Sequence, residues 1–363
     1  MPPFVQLAST SISFVLNSFL CWLIVEKSPK TLGSYKQLMI YTSVFEMYYA
    51  LLDSVADVTV FSHEFAVVVF REYVPEGVIT RQFSMMLVIA YCVTFGMSMA
   101  ILASHFVYRY SVTDSKFHQR YVSGKKYFLL FISPFFYAFW WTCALLYGYL
   151  PDSESDEYLK FRFLETFDLT TDRISYVCPK FYKRGNHGEL LFNEPAWVAV
   201  TNCLLMVTSS IFCALFLGTN CYFNITKQLA VTSETSKFSA NLQKQLFNAL
   251  VIQTVIPVVI MYIPILVFFM CPMINVNMGY SSKLISDMVA LYPVIDPLPN
   301  MLIIKSYRKA IVGIFNELWR TNMMKKFSDL FRCRGNGRNN PPTSQNDTNA
   351  IGLQSFIENQ IRI

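Results

Sequence analysis

The chain has 363 residues, of which 53% are hydrophobic, 16% aromatic and only 15% charged, and its mean hydropathy is +0.36. Soluble globular domains carry about 25% charged residues, so this composition excludes an ordinary soluble enzyme and indicates a membrane protein. The formal net charge of +6 is no sign of nucleic-acid binding here, because its distribution along the chain follows the predicted membrane spans.

Seven predominantly apolar stretches are each long enough to cross a bilayer. In lipid, every backbone polar group must be hydrogen-bonded within the protein, and continuous apolar runs of about 20 residues satisfy this as helices. We therefore expect an all-α membrane protein, a bundle of seven transmembrane helices. The predicted spans cover residues 4–25, 37–61, 83–108, 127–150, 195–222, 246–270 and 283–304.

The distribution of lysine and arginine predicts the orientation of the bundle. Loops 26–36, 109–126 and 223–245, together with the tail after residue 304, carry 21 of these residues, and the opposite side carries nine. Because positively charged loops stay in the cytosol, the N-terminus is predicted to lie outside. The chain starts without a basic segment or a small-residue cleavage site, so we expect no removable signal peptide.

The second outer loop, residues 151–194, begins with an acidic run and is far longer than a helix connection requires. Two interpretations remain open, a lid over the bundle and a solvated loop. Cys178 and Cys271 are the cysteines in or beside the predicted outer loops, and whether they form a disulfide is also left open.

An amphipathic helix is predicted after the seventh span, lying on the cytosolic leaflet with basic residues between its apolar ones. We expect residues 1–318 to form the receptor domain, including the start of this helix, and residues 319–363 to form a cytoplasmic tail, disordered after about residue 335. The apolar residues recur at steps of three and four: Ile311, Phe315, Leu318, Trp319, Met323, Phe327 and Leu330.

Motifs of enzymes and cofactor proteins are missing from the sequence. There is no Walker loop and no Gly-x-Ser-x-Gly, and His63-Glu64 begins a zinc motif that Val67 breaks. Lys283, the lysine of the seventh span, lies at the rim, which disfavours a retinal Schiff base. We predict neither catalytic activity nor a cofactor or metal.

Four segments resemble the nematode Str-type serpentine chemoreceptors, a family that includes odorant receptors. They are Leu32–Lys36, His105–Tyr110, Leu242–Phe247 and Leu291–Leu298, and they occur in the order that the family shows. The resemblance extends from about residue 30 to residue 315. It implies a G-protein-coupled receptor of the plasma membrane in sensory neurons, placed in the cilium, with a small-molecule ligand and a heterotrimeric G protein as partners.

The resemblance also implies a switch. Tyr108 precedes Arg109 where rhodopsin-like receptors usually have Asp, and Asp296 precedes Pro297 where Asn is usual. Arg109 therefore lacks its customary neighbouring carboxylate, and a simple interfacial anchor is the alternative role for it. The residues assigned to the switch and to G-protein coupling are Tyr108, Arg109, Tyr110, Lys244, Gln245, Pro257, Asp296 and Pro297.

Five acids lie within predicted spans. Glu46, Asp53 and Asp57 share one face of the second helix, and Asp287 and Asp296 belong to the seventh. No lysine or arginine lies deep enough to pair with them, so each must be protonated, hydrated or bound to a cation. We expect Glu46 and Asp296 to tune the switch, and the outer three to line a ligand vestibule or simply to be solvated.

The outer part of the third helix offers an apolar, aromatic wall that suits small, weakly polar or volatile ligands. The predicted function is a G-protein-coupled chemoreceptor. A ligand-gated channel of inverted topology is the main alternative, and a transporter is a third, although no internal repeat supports it. The candidate ligand-binding residues are Met86, Tyr91, Thr94, Phe95, Asp53, Asp57 and Asp287.

Overall fold

The computed structural model describes residues 3–74, 77, 79–185, 189–231, 234–276 and 281–335. Seven helices in the described part of the chain pack as a bundle. The first five are α1 Pro3–Lys27, α2 Tyr35–Ala56, α3 Arg81–Thr113, α4 Leu129–Gly148 and α5 Glu194–Val231.

The last two bundle helices are broken at prolines. Helix α6 runs as Glu234–Pro257, a π-helical turn Val258–Tyr262, and Ile263–Met273. Helix α7 consists of Ser281–Ile295 and Leu298–Ile303, and Pro297 precedes the second segment. The extended residue Ile304 ends α7, and α8 follows as Lys305–Gly335.

Five of the described helices, α1, α3, α4, α5 and α6, are long and apolar enough by themselves to cross a bilayer. A sixth is found if the segments on the two sides of Ile304 count as one span. Helix α2 contains Glu46 and Asp53 as well as several tyrosines and serines, and this polarity explains why its composition alone does not identify it as a span.

The second helix ends at Ala56, so the prediction of a span to residue 61 is wrong at that end. Asp57 caps the helix in a left-handed conformation with φ 43°, and the chain then enters a strand. The β-branched residues after Asp57 favour extended backbone, which explains the early end. Asp57 consequently does not continue the helical face on which Glu46 and Asp53 lie.

A small antiparallel sheet lies at one end of the all-α bundle and was not predicted. It contains β1 Thr59–His63, β2 Ala66–Glu72 and β3 Ile174–Val177, in the order β1-β2-β3. A separate hairpin pairs β4 Tyr182–Arg184 with β5 Leu190–Phe192. We call the sheet's end of the bundle the lid end and the opposite end the Arg109 end.

Alternate side chains of a strand point to opposite faces of the sheet. Both faces of this sheet are buried, because each packs against another part of the protein. Val60, Val69 and Val177 pack with the bundle core. On the other face, Phe61 and Phe70 pack against a helix Ser153–Phe167, which we call the lid helix. The sheet and this helix together form the lid. In its described residues, the loop 151–194 is thus ordered and covers this end of the bundle.

The acidic run of the loop starts the lid helix. The Asp152 carboxylate accepts hydrogen bonds from the Ser155 backbone N–H at 2.8 Å and from its hydroxyl at 2.6 Å. Partial burial acts to raise the pKa of Asp152, but these two hydrogen bonds keep it below its usual value. Glu154 pairs with Lys180 at 2.7 Å and so joins the lid helix to the segment after β3.

The disulfide that the sequence left open is not formed, because Cys178 and Cys271 are both free. Cys178 is buried in the core beneath the lid helix, among the aromatic side chains of β1 and β2. It acts there as a small apolar residue.

Phe163 of the lid helix is fully buried against Phe61 and Phe70, whereas Phe161 of the same helix is 76% exposed. We predict that Phe163→Ala destabilises the lid by about 3–5 kcal/mol, through lost apolar burial and a cavity. Hydrogen exchange of the β2 amides, followed by mass spectrometry, should become faster, and Phe161→Ala should leave it unchanged. Equal exchange in the two variants would contradict this description of the lid core.

Candidate functional site

A cavity of about 120 Å³ lies between the bundle and the lid. Helices α2 to α7 contribute to its wall, and side chains of all three sheet strands cover it. The wall is apolar and rich in aromatic rings. The residues that bear most on its chemistry are Tyr49, Tyr91, Phe95, Trp141, Tyr149 and Tyr262.

Two hydrogen-bond donors in this wall are not committed to strong acceptors. The buried Trp141 Nε1–H has no hydrogen-bond partner in the described part of the chain. The buried Tyr149 hydroxyl has the Cys203 thiol, a weak acceptor, beside it. Buried donors are normally satisfied. Both donor atoms are buried, so an acceptor atom of a bound molecule would reach them only if the Trp141 and Tyr149 side chains turned toward the cavity.

Gly96 of α3 determines where the Trp141 indole lies. A Cβ at position 96 would come within 2.6 Å of the indole ring, so glycine allows the ring of α4 to lie directly against α3. The Phe95 ring then contacts Trp141 at a centroid distance of 5.8 Å and Tyr262 at 5.6 Å. Helices α3, α4 and α6 therefore meet around one aromatic cluster in the cavity wall.

Tyr91 and Phe95, two of the predicted ligand-binding residues, line this cavity. Thr94 is buried, but its hydroxyl donates to the Ala90 carbonyl in its own helix. Met86 is 65% exposed and is not part of the cavity wall.

The three predicted acids of the vestibule also lie outside the wall. Asp53 is buried, and the Gln6 amide donates to its backbone carbonyl at 2.8 Å. Asp57 is exposed at the end of α2, and Asp287 is partly buried on α7. The structure thus brings together the aromatic members of the predicted set but not the acids.

Trp141, Tyr149 and Tyr262 belong to the cavity wall and were missed by the sequence reasoning. A tryptophan or tyrosine in a membrane helix can face lipid or the interior. The pairing of Gly96 with Trp141 was the informative signal, but it depends on how α3 and α4 are placed side by side.

At the opposite end of the bundle, Arg109 faces the interior and is only 2% exposed. Its Nη1–H donates to Gln243 Oε1 of α6 at 2.6 Å. Its guanidinium carbon lies 3.6 Å from the centroid of the Tyr35 ring. An amide and an aromatic face therefore hold this charge where a carboxylate would be usual, by a hydrogen bond and a cation–π contact.

The ring of Tyr35 is fixed in turn by its neighbours. Its hydroxyl shares a hydrogen bond of 3.0 Å with His105 Nδ1, and Thr42 shares one of 2.6 Å with His105 Nε2. Tyr108 stacks on the Tyr35 ring at a centroid distance of 5.3 Å. Tyr108 therefore belongs to the group around Arg109.

The remaining predicted switch residues near the Arg109 end lie farther from that group. The Tyr110 hydroxyl donates to Asp114 at 3.1 Å, and Lys244 is exposed. Gln245 Oε1 accepts the Lys305 backbone N–H at 2.9 Å, at the start of α8. Glutamines 243 and 245 thus tie α6 to two different neighbours.

A third glutamine of α6 reaches α7. The Gln253 amide donates to the backbone carbonyl and to the carboxyl Oδ2 of Asp296, both at 3.0 Å. The carboxyl group of Glu46 lies beside that of Asp296, and both residues are buried. One of the two must carry a proton, because two adjacent carboxylates would repel each other.

Prolines lie near the hydrogen bonds that join α6 to α7. Pro257 immediately precedes the π-helical turn of α6, and Pro297 separates Asp296 from the second segment of α7. Each proline removes a backbone hydrogen bond, which permits a change of helix direction at that point.

The profile of the serpentine type 7TM GPCR chemoreceptor family Str matches residues 3–312. The chain belongs to this family. It is 33% identical over 304 residues to the G-protein coupled receptor str-217 of Caenorhabditis elegans. That alignment covers 83% of this chain and 86% of the relative. It is 28% identical over 317 residues to serpentine receptor class r-10 of Caenorhabditis briggsae, with 84% and 87% covered.

The fold of this Str receptor resembles that of squid rhodopsin, with a TM-score of 0.54 at 11% identity, covering 88% of this chain and 87% of that one. The seven-transmembrane bundle and the membership in the chemoreceptor family, both predicted from the sequence, are confirmed. The family is one of receptors, and its match does not favour the inverted channel.

Gln243 supplies the acceptor that Arg109 needs. We predict that Gln243→Ala lowers the free energy of unfolding of the receptor by about 1–3 kcal/mol, because a buried donor loses its acceptor. Gln243→Glu should raise it, because a carboxylate would make a stronger, charge-assisted bond. Asn248→Ala, at an exposed position of α6, is the control. The measurement is thermal unfolding in nanodiscs, and a glutamate variant no more stable than the alanine one would refute the role of this bond.

Proposed function

We propose that this receptor binds a small, weakly polar molecule in the cavity beneath the lid and signals to a heterotrimeric G protein at the Arg109 end. The observation that carries the proposal is an apolar, aromatic cavity whose wall includes two residues with buried donors that lack a strong acceptor, Trp141 Nε1–H and the Tyr149 hydroxyl. Such a site has an apolar enclosure and a few directed polar groups, as ligand sites usually do.

The size and chemistry of the cavity define the class of ligand. An apolar protein cavity of about 150 Å³ holds a molecule of the size of benzene, and this cavity measures about 120 Å³. The ligand is therefore a compact apolar molecule with a hydrogen-bond acceptor that meets Trp141. Charged ligands are disfavoured, because the vestibule acids Asp53, Asp57 and Asp287 do not reach the cavity.

Coupling follows from the contacts of α6 at the Arg109 end. Separation of α6 from α3 breaks the bond between Arg109 and Gln243 and gives Arg109 access to a partner helix, with Lys244 and Gln245 at the moving end. A ligand shifts this equilibrium only by binding the open form more tightly. The proton held by Glu46 or Asp296 belongs to the closed arrangement in this proposal.

The orientation follows from the basic residues. The Arg109 end faces the cytosol, the lid faces outside, and α8 lies on the inner leaflet of the plasma membrane, in a sensory cilium. Phe315 and Trp319 of α8 are 65% and 61% exposed, as a lipid-contacting face requires. In this proposal residues 1–318 form the receptor domain and residues 319–363 form the cytoplasmic tail. The structure does not describe the side chain of Phe327 or the residues after 335.

Adjacent tryptophans provide a matched test of the ligand site. Trp141 is buried with an unpartnered donor, and Trp140 is 51% exposed on the same helix. We predict that Trp141→Phe shifts the agonist concentration for half-maximal response upward by about tenfold, since one hydrogen bond is worth about 1.4 kcal/mol. Trp140→Phe should leave it unchanged. The response is measured in cells with surface labelling, using agonists found by screening compact ketones, esters and ethers, and identical shifts in both variants would exclude a ligand role.

Topology gives an independent prediction. An epitope tag at the N-terminus should bind antibody on intact cells, and a tag at the C-terminus should bind it only after permeabilisation, because positively charged loops stay inside. Staining intact and permeabilised cells in parallel measures this. The reverse pattern would place Arg109 outside and would remove the proposed coupling.

A further inference from the structure

Among the residues of the described cavity wall, one is exposed on the surface of the molecule. The lid residues of the wall, Val60, Val69, Val177 and Pro179, are all buried. Leu266 of α6 also belongs to the wall but is 42% exposed.

The wall residues next to Leu266 extend the partly exposed part of the wall toward α5. Leu204 and Val207 of α5 and Ile265 of α6 line the cavity and are partly exposed. Leu205 and Val267, the adjacent positions that are not part of the wall, are 60% and 46% exposed on the surface of two apolar helices. The cavity thus approaches the lipid-facing surface between α5 and α6.

We propose that ligands reach the cavity from the bilayer, through a portal between α5 and α6 whose covering side chain is Leu266. The portal rests on the proposed ligand site and adds its route of access. It selects molecules that partition into lipid, because a hydrated or charged molecule does not accumulate at that depth of the membrane.

The alternative route through the lid requires more bonds to break. The Cys178 backbone N–H donates to the Tyr149 carbonyl at the end of α4, and Trp197 Nε1–H of α5 donates to the Phe181 carbonyl. The lid also contains a strand ladder, its own aromatic core and the pair of Glu154 with Lys180. A change of rotamer at an aliphatic side chain such as Leu266 costs far less than opening these contacts.

Cys203 of the cavity wall allows access to be measured without an agonist. The receptor is purified into nanodiscs, and the rate of modification of each cysteine is followed by peptide mass spectrometry. Two probes are used, the small apolar reagent N-ethylmaleimide and the permanently charged trimethylammonium-ethyl methanethiosulfonate. Cys143 on α4 is exposed and lies outside the wall, so it serves as the internal reference.

The variants change the portal in opposite directions. We expect Leu266→Trp to slow the reaction of Cys203 with N-ethylmaleimide severalfold and Leu266→Ala to accelerate it. Val267→Trp and Val267→Ala are matched controls at the next, lipid-facing position and should match wild type. Cys143 should react with N-ethylmaleimide equally in all five proteins, and the charged reagent should modify Cys203 far more slowly than N-ethylmaleimide does.

Several results would overturn the portal. They are equal Cys203 rates in the two Leu266 variants, equal effects at position 267, rapid modification of Cys203 by the charged reagent, or no alkylation of Cys203 where Cys143 reacts. Because no agonist is present, the portal can fail while Trp141 still controls agonist sensitivity, and the ligand site can fail while Leu266 still controls alkylation. The two outcomes are therefore distinguishable.

Discussion

A positive charge buried in a membrane bundle without a carboxylate is the constraint on which the Arg109 end depends. A guanidinium that is 2% exposed must replace its water with acceptors and π-electrons, or its desolvation would be prohibitive. Tyr35 and Gln243 meet this need, through a ring contact and a hydrogen bond. The closed position of α6 follows, since Gln243 reaches Arg109 only while α6 lies against α3.

This arrangement differs in strength from a pair of opposite charges. A bond from a guanidinium to an amide is weaker than one to a carboxylate, so it holds α6 against α3 less strongly than an ion pair would. The Nε and Nη2 groups of Arg109 have no partners in the described part of the chain, and the charge is thus incompletely satisfied in the closed form.

The cavity and the Arg109 end are linked by contacts of aromatic rings and acids. Tyr49 and Tyr262 line the cavity. The Tyr49 ring contacts Tyr292 of α7 at a centroid distance of 6.0 Å, and the Tyr262 hydroxyl shares a hydrogen bond with Ser98 of α3. Tyr292 and Tyr262 also border the small space beside Asp296. A ligand that displaces either ring therefore acts on the break in α7 and on the π-helical turn of α6.

Sequence patterns predicted the bundle because lipid imposes one simple rule, helices of sufficient apolar length. They failed at residues 57–61, where the apolar β-branched run reads equally well as helix or strand. The run Ala66–Phe70 carried the same ambiguity and concealed β2. Arg109 and Asp296 were found through local motifs, whereas their partners Gln243 and Glu46 come from distant helices whose packing no local pattern specifies.

The distance between the Arg109 ends of α3 and α6 tests the central claim most directly. Nitroxide labels at Val112 of α3 and Lys244 of α6, both exposed, can be measured by double electron–electron resonance in nanodiscs, with and without a G-protein α subunit stripped of nucleotide. We expect one short distance for the receptor alone, a longer one with the G protein, and a mixture in the Gln243→Ala receptor alone. The same single distance in all three samples would show that Arg109 and Gln243 do not hold a closed state.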